Sequence, residues 1–227
     1  RAHVQVLPAV IEEALKRAEL DWGDIDAVAV TYGPGLASSL LVGLSTAKSL
    51  ALRLGRPLCC VNHLQGHIFS PFLSAGAPTP SEVFPFLSLV VSGGHTCLVR
   101  VDGLGDCTLL GQTIDDAAGE AFDKGANLLG LGYPGGPIMD KLGKEGDPRF
   151  FVFPRGRAKR ERGFIDDMDS DLCFSYSGLK TALLYYLKDN PVAEDDRKRL
   201  VNVVASYQEA IVDSLLKRTA KAMHGIE

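Results

Sequence analysis

Residues 86–112, FLSLVVSGGHTCLVRVDGLGDCTLLGQ, decide the fold class of this chain. Phe86 to Val91, Cys97 to Val101 and Thr108 to Gln112 read as three successive strands, joined by the short turns SGGHT and DGLGD. A helix over about Ala117 to Leu129 follows, then a Gly/Pro-rich turn from Gly130 to Pro137. Three antiparallel strands before a helix are unlike the opening of a doubly wound nucleotide fold.

Upstream the rhythm differs. Residues 3–20 repeat apolar side chains at helical spacing, and Asp26 to Thr31 reads as a short buried strand. Gly33-Pro34-Gly35 turns the chain, Ser38 to Leu54 resumes a helix, and Leu58 to Val61 forms another apolar strand. Ala27 to Ala47 is uncharged and long enough to span a bilayer, but the glycine-proline turn divides it, so strand–turn–helix is expected. Helix, strand, helix, strand is the rhythm of an α/β domain. Residues 74–85, SAGAPTPSEVFP, are the best linker, giving one expected domain over 1–80 and another over 81–227. Two helices end the chain, Ser177 to Lys188 and Arg197 to Met223.

The 227 residues are 46% hydrophobic and 23% charged, which excludes a disordered polymer and allows one large domain or two small ones. A net charge of −4 gives no global nucleic-acid signature and leaves room for a local basic patch. The basic run RGRAKRER at 155–162, followed by Asp166, Asp167, Asp169 and Asp171, reads as a solvated surface loop with opposed charges. Five cysteines with no CxxC spacing point to reduced thiols used as small core residues. The chain starts at Arg1 and closes just after a helical pattern, and is expected to be the middle of a longer protein.

Five segments carry candidate chemistry. In Asn62-His63-Leu64-Gln65-Gly66-His67 the asparagine is a good N-cap, so both imidazoles fall one turn apart on one helix face, where they can meet one metal ion. The interior of the motif has no glutamate, so the general base of a zinc metalloprotease is missing. Val90 to Thr96 contains Gly93 and Gly94, which let backbone amides approach an anion, with Ser92 and Thr96 as added hydroxyl donors. In Asp115 to Lys124, Asp116 is expected to cap the helix, and Glu120 and Asp123 lie within it. The turns Tyr133 to Pro137 and Phe174 to Thr181 allow close backbone approach, with Ser177 as an expected N-cap and Lys180 near an anion.

In order, GPGLASSLLVG, NHLQGH, VVSGGHT, IDDAAGEAFDK, YPGGP, FVFPR and FSYSGLKT resemble the tRNA threonylcarbamoyladenosine transferase family of bacterial TsaD type, once described as O-sialoglycoprotein endopeptidases or glycoproteases. The resemblance covers nearly the whole chain. It implies an α/β protein of the actin-like/sugar-kinase/Hsp70 ATPase fold with two similar lobes, both incomplete here. It implies that His63 and His67 bind one divalent metal per subunit, iron or zinc. Val90, Val91, Ser92, Gly93 and Gly94 are implied to contact the donor, with Asp123 and Gly136 at its adenylate part, and no catalytic residue is assigned. The implied reaction moves a threonylcarbamoyl group from threonylcarbamoyl-AMP to N6 of adenosine 37 in ANN-decoding tRNAs. The implied partners are tRNA, a TsaB-type dimerisation partner and a TsaE-type ATPase, in the cytoplasm, or in mitochondria for a eukaryotic source, with no membrane. The family's N-terminal acidic hairpin, its C-terminal glycine-rich Asn motif and the Asp that is its third metal ligand are not matched, so the chain alone is expected to be inactive. A metal-dependent glycoprotease and a non-catalytic scaffold of the same fold are the competing readings.

Overall fold

A computed structural model describes residues 2–156, 158, 168–193 and 195–224. The chain divides into two compact units, Arg1–Ala77 and Pro78–Glu227.

The first unit is a small α/β layer. Helix α1 (Ala2–Ala18) precedes strand β1 (Val28–Gly33), helix α2 (Ala37–Leu54), strand β2 (Leu58–Asn62) and the short helix α3 (His63–Phe69). The two strands pair in parallel, Val28 beside Leu58 and Val30 beside Cys60, and α2 is the crossover that a parallel pair requires. The uncharged stretch from Ala27 is therefore β1, a turn and the first half of α2. Among the described residues no helix is long and apolar enough to cross a membrane. Helix α2 ends on Gly55, whose left-handed φ of 63° turns its N–H back onto the carbonyls of Ala51 and Leu52.

The strands of this unit are less buried than their composition suggests. Ala29, Cys59, Cys60 and Val61 are exposed, and among the described residues of this unit only Ala47, Ala51 and Ile68 are buried. The expected buried β1 and the expected core role of Cys59 and Cys60 are thus corrected. Apolar content gives a strand its propensity, but burial also needs layers on both faces.

The second unit begins with a three-stranded antiparallel sheet, β3 (Phe86–Val91), β4 (Thr96–Gly103) and β5 (Asp106–Gln112), in the order β3-β4-β5. Its centre is β4, where Cys97, Leu98, Val99 and Val101 are buried. Helix α4 (Ala118–Leu128) and helix α5 (Gly135–Gly143) follow, then α6 (Ser177–Asp189) and the long α7 (Arg197–His224). Leu98, Ala121, Met139, Phe153, Phe174, Leu183, Val203, Tyr207 and Ile211 belong to one apolar core. Each such large side chain contributes roughly 1.5–3 kcal/mol of burial. Tyr207 reaches from α7 to α4 and donates its hydroxyl to the Ala121 carbonyl at 3.0 Å. Burial of the phenol pushes its pKa up, so it stays a neutral donor.

The Gly130 to Pro137 segment is only half a turn. Its last three residues open α5, with Pro134 at the N-cap position. Proline's fixed φ suits a helix start, and two glycines after it do not prevent one.

The caps also differ from expectation. Asp116 does not cap α4, whose N-cap position is Ala117 without a side-chain bond. Asp116 instead accepts from the Lys124 ammonium at 2.5 Å, and Glu120 accepts from it at 2.8 Å. Those two carboxylates, Asp116 first, hold the Lys124 pKa above its ordinary value. Nor is Ser177 the N-cap of α6; it is the first helical residue. The cap comes from Asp115, as described below.

Candidate functional site

The histidine motif sits where β2 runs directly into α3. Asn62 ends the strand, and its side-chain oxygen accepts from Leu64 N at 2.9 Å and Gln65 N at 3.4 Å. That cap satisfies two of the free donors at the start of α3 and fixes the helix phase. His63 and His67, four residues apart, then project together. Their Nε2 atoms are 3.2 Å apart, with the rings edge to face at a centroid distance of 4.5 Å. Two imidazole nitrogens at about 2.1 Å from one tetrahedral ion stand roughly 3.4 Å apart, so this spacing fits a shared metal. Both rings are exposed. Among the described residues no third His, Cys, Asp or Glu completes a cluster with them.

In the second unit the loop between β3 and β4 closes on itself. Ser92 N donates to His95 O at 2.8 Å, and the Ser92 hydroxyl accepts from Gly94 N at 3.3 Å and His95 N at 2.9 Å. The hydroxyl itself points its proton toward His95 O at 3.2 Å. A serine used this way stiffens the turn. The Gly93 amide is not among the donors these bonds use. Val90 is 6% exposed, so its side chain belongs to the core, whereas Val91 is 45% exposed.

Thr96 corrects an expectation. It is 1% exposed, and its Oγ1 accepts from Ala118 N at 2.8 Å, so its hydroxyl serves the start of α4 and not a ligand. The next amide, Gly119 N, donates to Ser92 O at 3.1 Å. The first turn of α4 is thereby spent on holding the glycine loop.

Asp123 lies one helical turn beyond Gly119 on the same face of α4. One of its carboxylate oxygens, Oδ1, accepts from Gly135 N at 2.7 Å, tying the start of α5 to that face. Gly136 is the next residue, and the space in front of its Cα is open. Ser92 to Gly94, Asp123 and Gly136 are therefore organised around one helix, α4.

Asp115 is the residue that sequence reading undervalued. It accepts from Ser175 Oγ at 2.6 Å, Tyr176 N at 2.7 Å, Ser177 N at 3.2 Å and Ser177 Oγ at 2.8 Å. Partial burial works against its charge, but these donors outweigh it and hold the carboxyl below its ordinary value. The approach is set by pairing of the β5 end with Phe174: Phe174 N donates to Gln112 O and Ile114 N to Phe174 O, both at 3.0 Å. Lys180 stands on the first turn of α6, but the donors at that helix start are used by Asp115.

Of the basic run 155–162, only Arg155, Gly156 and Ala158 are among the described residues. Arg155 donates through Nε to Asp213 at 2.8 Å and through its terminal nitrogen to Phe153 O at 2.9 Å. Arg157, Lys159, Arg160 and Arg162 lie outside the described residues, as do Asp166 and Asp167.

With this geometry in place, comparison with known proteins decides the family. The sequence model of the TsaD family, tRNA N6-adenosine threonylcarbamoyltransferase, matches residues 1–226. The chain belongs to that family. It is 52% identical over 224 residues to a protein of that name from Anaeromyxobacter sp. (strain Fw109-5), covering 99% of this chain and 62% of the relative. The namesake from Syntrophotalea carbinolica is 48% identical over 224 residues, covering 98% and 60%. That from Syntrophus aciditrophicus is 51% identical over 224 residues, covering 98% and 61%. This member of the TsaD family thus spans about three fifths of the length of these relatives. The solved structure of YeaZ from Pseudomonas aeruginosa aligns with a TM-score of 0.34 at 14% identity, over 86% of this chain and 83% of its own, a likeness too low to fix a fold.

Proposed function

We propose that the protein to which this chain belongs transfers the threonylcarbamoyl group of threonylcarbamoyl-AMP to N6 of adenosine 37 in ANN-decoding tRNAs. The observation that carries this reading is the family match over residues 1–226. The reading includes the actin-like ATPase fold with two lobes, a cytoplasmic site of action, and TsaB-type and TsaE-type partners.

In the transfer, the N6 nitrogen forms a bond to the carbamoyl carbon and loses a proton. The bond from that carbon to the phosphate oxygen breaks, and AMP leaves with the electron pair. Such a mixed anhydride needs its carbonyl polarised and its leaving phosphate stabilised, and a weak amine needs positioning more than a strong base. His63 and His67 would hold the divalent metal, iron or zinc, whose chemistry when bound is that of a Lewis acid toward carbonyl or phosphate oxygen. Their 3.2 Å spacing supports this role, and binding requires both lone pairs, so it replaces the hydrogen bond between the rings. Ser92, Gly93 and Gly94 would contact the donor, with the Gly93 amide as the backbone donor that the loop's own bonds leave out, and Val90 and Val91 would contribute backbone at the end of β3. Asp123 Oδ2 and the open face of Gly136 would meet the adenylate, since Oδ1 is engaged by Gly135.

The test is transfer by the full-length protein, with its partners, of labelled threonine from threonylcarbamoyl-AMP into tRNA. Label incorporation matched by AMP release supports the reading; AMP release without incorporation contradicts it. The glycoprotease alternative is separated by a peptidase assay of the same protein, which is expected to be negative because Leu64-Gln65-Gly66 supplies no general base between the histidines.

A further inference from the structure

We propose that Gly119 is a positioning residue for the donor: its missing side chain sets how deeply the Ser92–His95 loop seats on α4. This rests on the reading above that the loop meets the donor.

Gly119 sits in the first turn of α4, where alanine is the better helix former. Helix propensity therefore gives no reason for glycine here. The reason is contact: a Cβ at Gly119 would lie 2.8 Å from Ser92 O, 2.9 Å from Gly93 Cα and 2.9 Å from Gly93 N. All three are backbone atoms, so no rotamer change relieves the overlap. Either the loop lifts or the helix start withdraws. Helix withdrawal is opposed by the buried bond from Ala118 N to Thr96 Oγ1 at 2.8 Å. Loop lift breaks one bond between half-buried residues, from Gly119 N to Ser92 O at 3.1 Å. The loop is the part that yields. A lift of a few tenths of an ångström moves the Gly93 and Gly94 amides relative to Asp123, which stays on the same face one turn along. Amides displaced this far hold the donor less well, and a loss of about tenfold in donor affinity, about 1.4 kcal/mol, is expected.

The experiment compares Gly119→Ala with Gly125→Ala in the full-length protein. Gly125 lies on the same helix, but its Cβ would meet the Tyr207 ring at 2.6 Å, so this second variant disturbs packing away from the loop. The expected result is a rise of about tenfold in the KM for threonylcarbamoyl-AMP with Gly119→Ala, an unchanged KM for tRNA, and neither change with Gly125→Ala. Equal donor KM values for the two variants overturn the proposal while leaving the transfer reading intact. Amide hydrogen exchange of the peptide spanning Ala117 to Ala121 supplies a readout that needs no activity, because the lift frees the amide of residue 119. Gly119→Ala should speed exchange at residue 119, and Gly125→Ala should not. Unchanged exchange overturns the seat; faster exchange with no transfer by the unaltered protein supports the seat and overturns the transfer reading.

Discussion

The Ser177 hydroxyl donates to the Asp115 carboxylate at 2.8 Å, across 62 residues of sequence. With the bonds from Ser175 and the two backbone amides, that contact makes Asp115 the cap of α6 and the fastening between the β5–α4 turn and the 174–177 segment. Replacing Asp115 by Ala should cost about 1 kcal/mol, the usual value of a lost N-cap, because the site is still partly wet. The sign of the pH effect follows from a folded-state pKa below the ordinary 3.8. The stabilisation is full above the ordinary value and is lost as pH falls through the lower folded one. The gap in Tm between the unaltered protein and Asp115→Asn should therefore hold from neutrality to about pH 4 and close in more acid solution. A gap that closes between pH 6 and 8 would contradict this cap.

Thr96 makes a sharper stability prediction. Thr96→Val preserves the shape but strips the acceptor from the buried Ala118 amide, and should cost about 1–3 kcal/mol. Thr96→Ser keeps the acceptor and should recover most of that loss. Equal denaturation midpoints for the Val and Ser variants would show that the hydroxyl does not hold α4.

Thiol chemistry checks the first unit directly. Cys59 and Cys60 are exposed, whereas Cys97 and Cys173 are buried, and burial pushes the thiol pKa values of that second pair up. Mild alkylation near pH 8 should modify Cys59 and Cys60 first and leave Cys97 and Cys173 unmodified until the chain is unfolded. Mapping the labelled peptides by mass spectrometry reads this out, and early labelling at Cys97 would contradict the buried centre of β4.

For the histidine pair, either single change, His63→Ala or His67→Ala, should abolish stoichiometric metal retention by the full-length protein. One imidazole at this exposed helix start cannot replace two that converge within 3.2 Å. Metal content after dialysis measures it; full retention by either variant would remove that residue from the ligand set.

Legibility in the sequence followed the range of the interactions. The three strands after residue 85 could be read because short turns separate apolar runs, and α2, α6 and α7 because their patterns are long. Asn62 was readable as a cap because its acceptors are filled by amides two and three residues on. Asp115 and Asp116 could not be ranked the same way. Which carboxylate caps which helix depends on Phe174 pairing with β5, a contact that spacing does not encode. Thr96 looked like a ligand donor beside two glycines, and only its 1% exposure and its bond to Ala118 reassign it. The exposure of Cys59 and Cys60 was equally hidden, since apolar character says what a strand prefers and not what covers it. In the candidate site, the sequence names candidate residues, but the way Ser92 to Gly94, Asp123 and Gly136 gather along α4 was not legible, because it depends on contacts between distant segments.

The measurement closest to the central claim is nucleoside mass spectrometry of an ANN-decoding tRNA incubated with threonylcarbamoyl-AMP, the full-length metal-loaded protein and its partners, run in parallel with His63→Ala/His67→Ala. Threonylcarbamoyladenosine at position 37 with the unaltered protein, and its loss with the double variant, is the predicted result. An unmodified tRNA in the first reaction would contradict the transfer, and full modification in the second would contradict the role of the histidine pair.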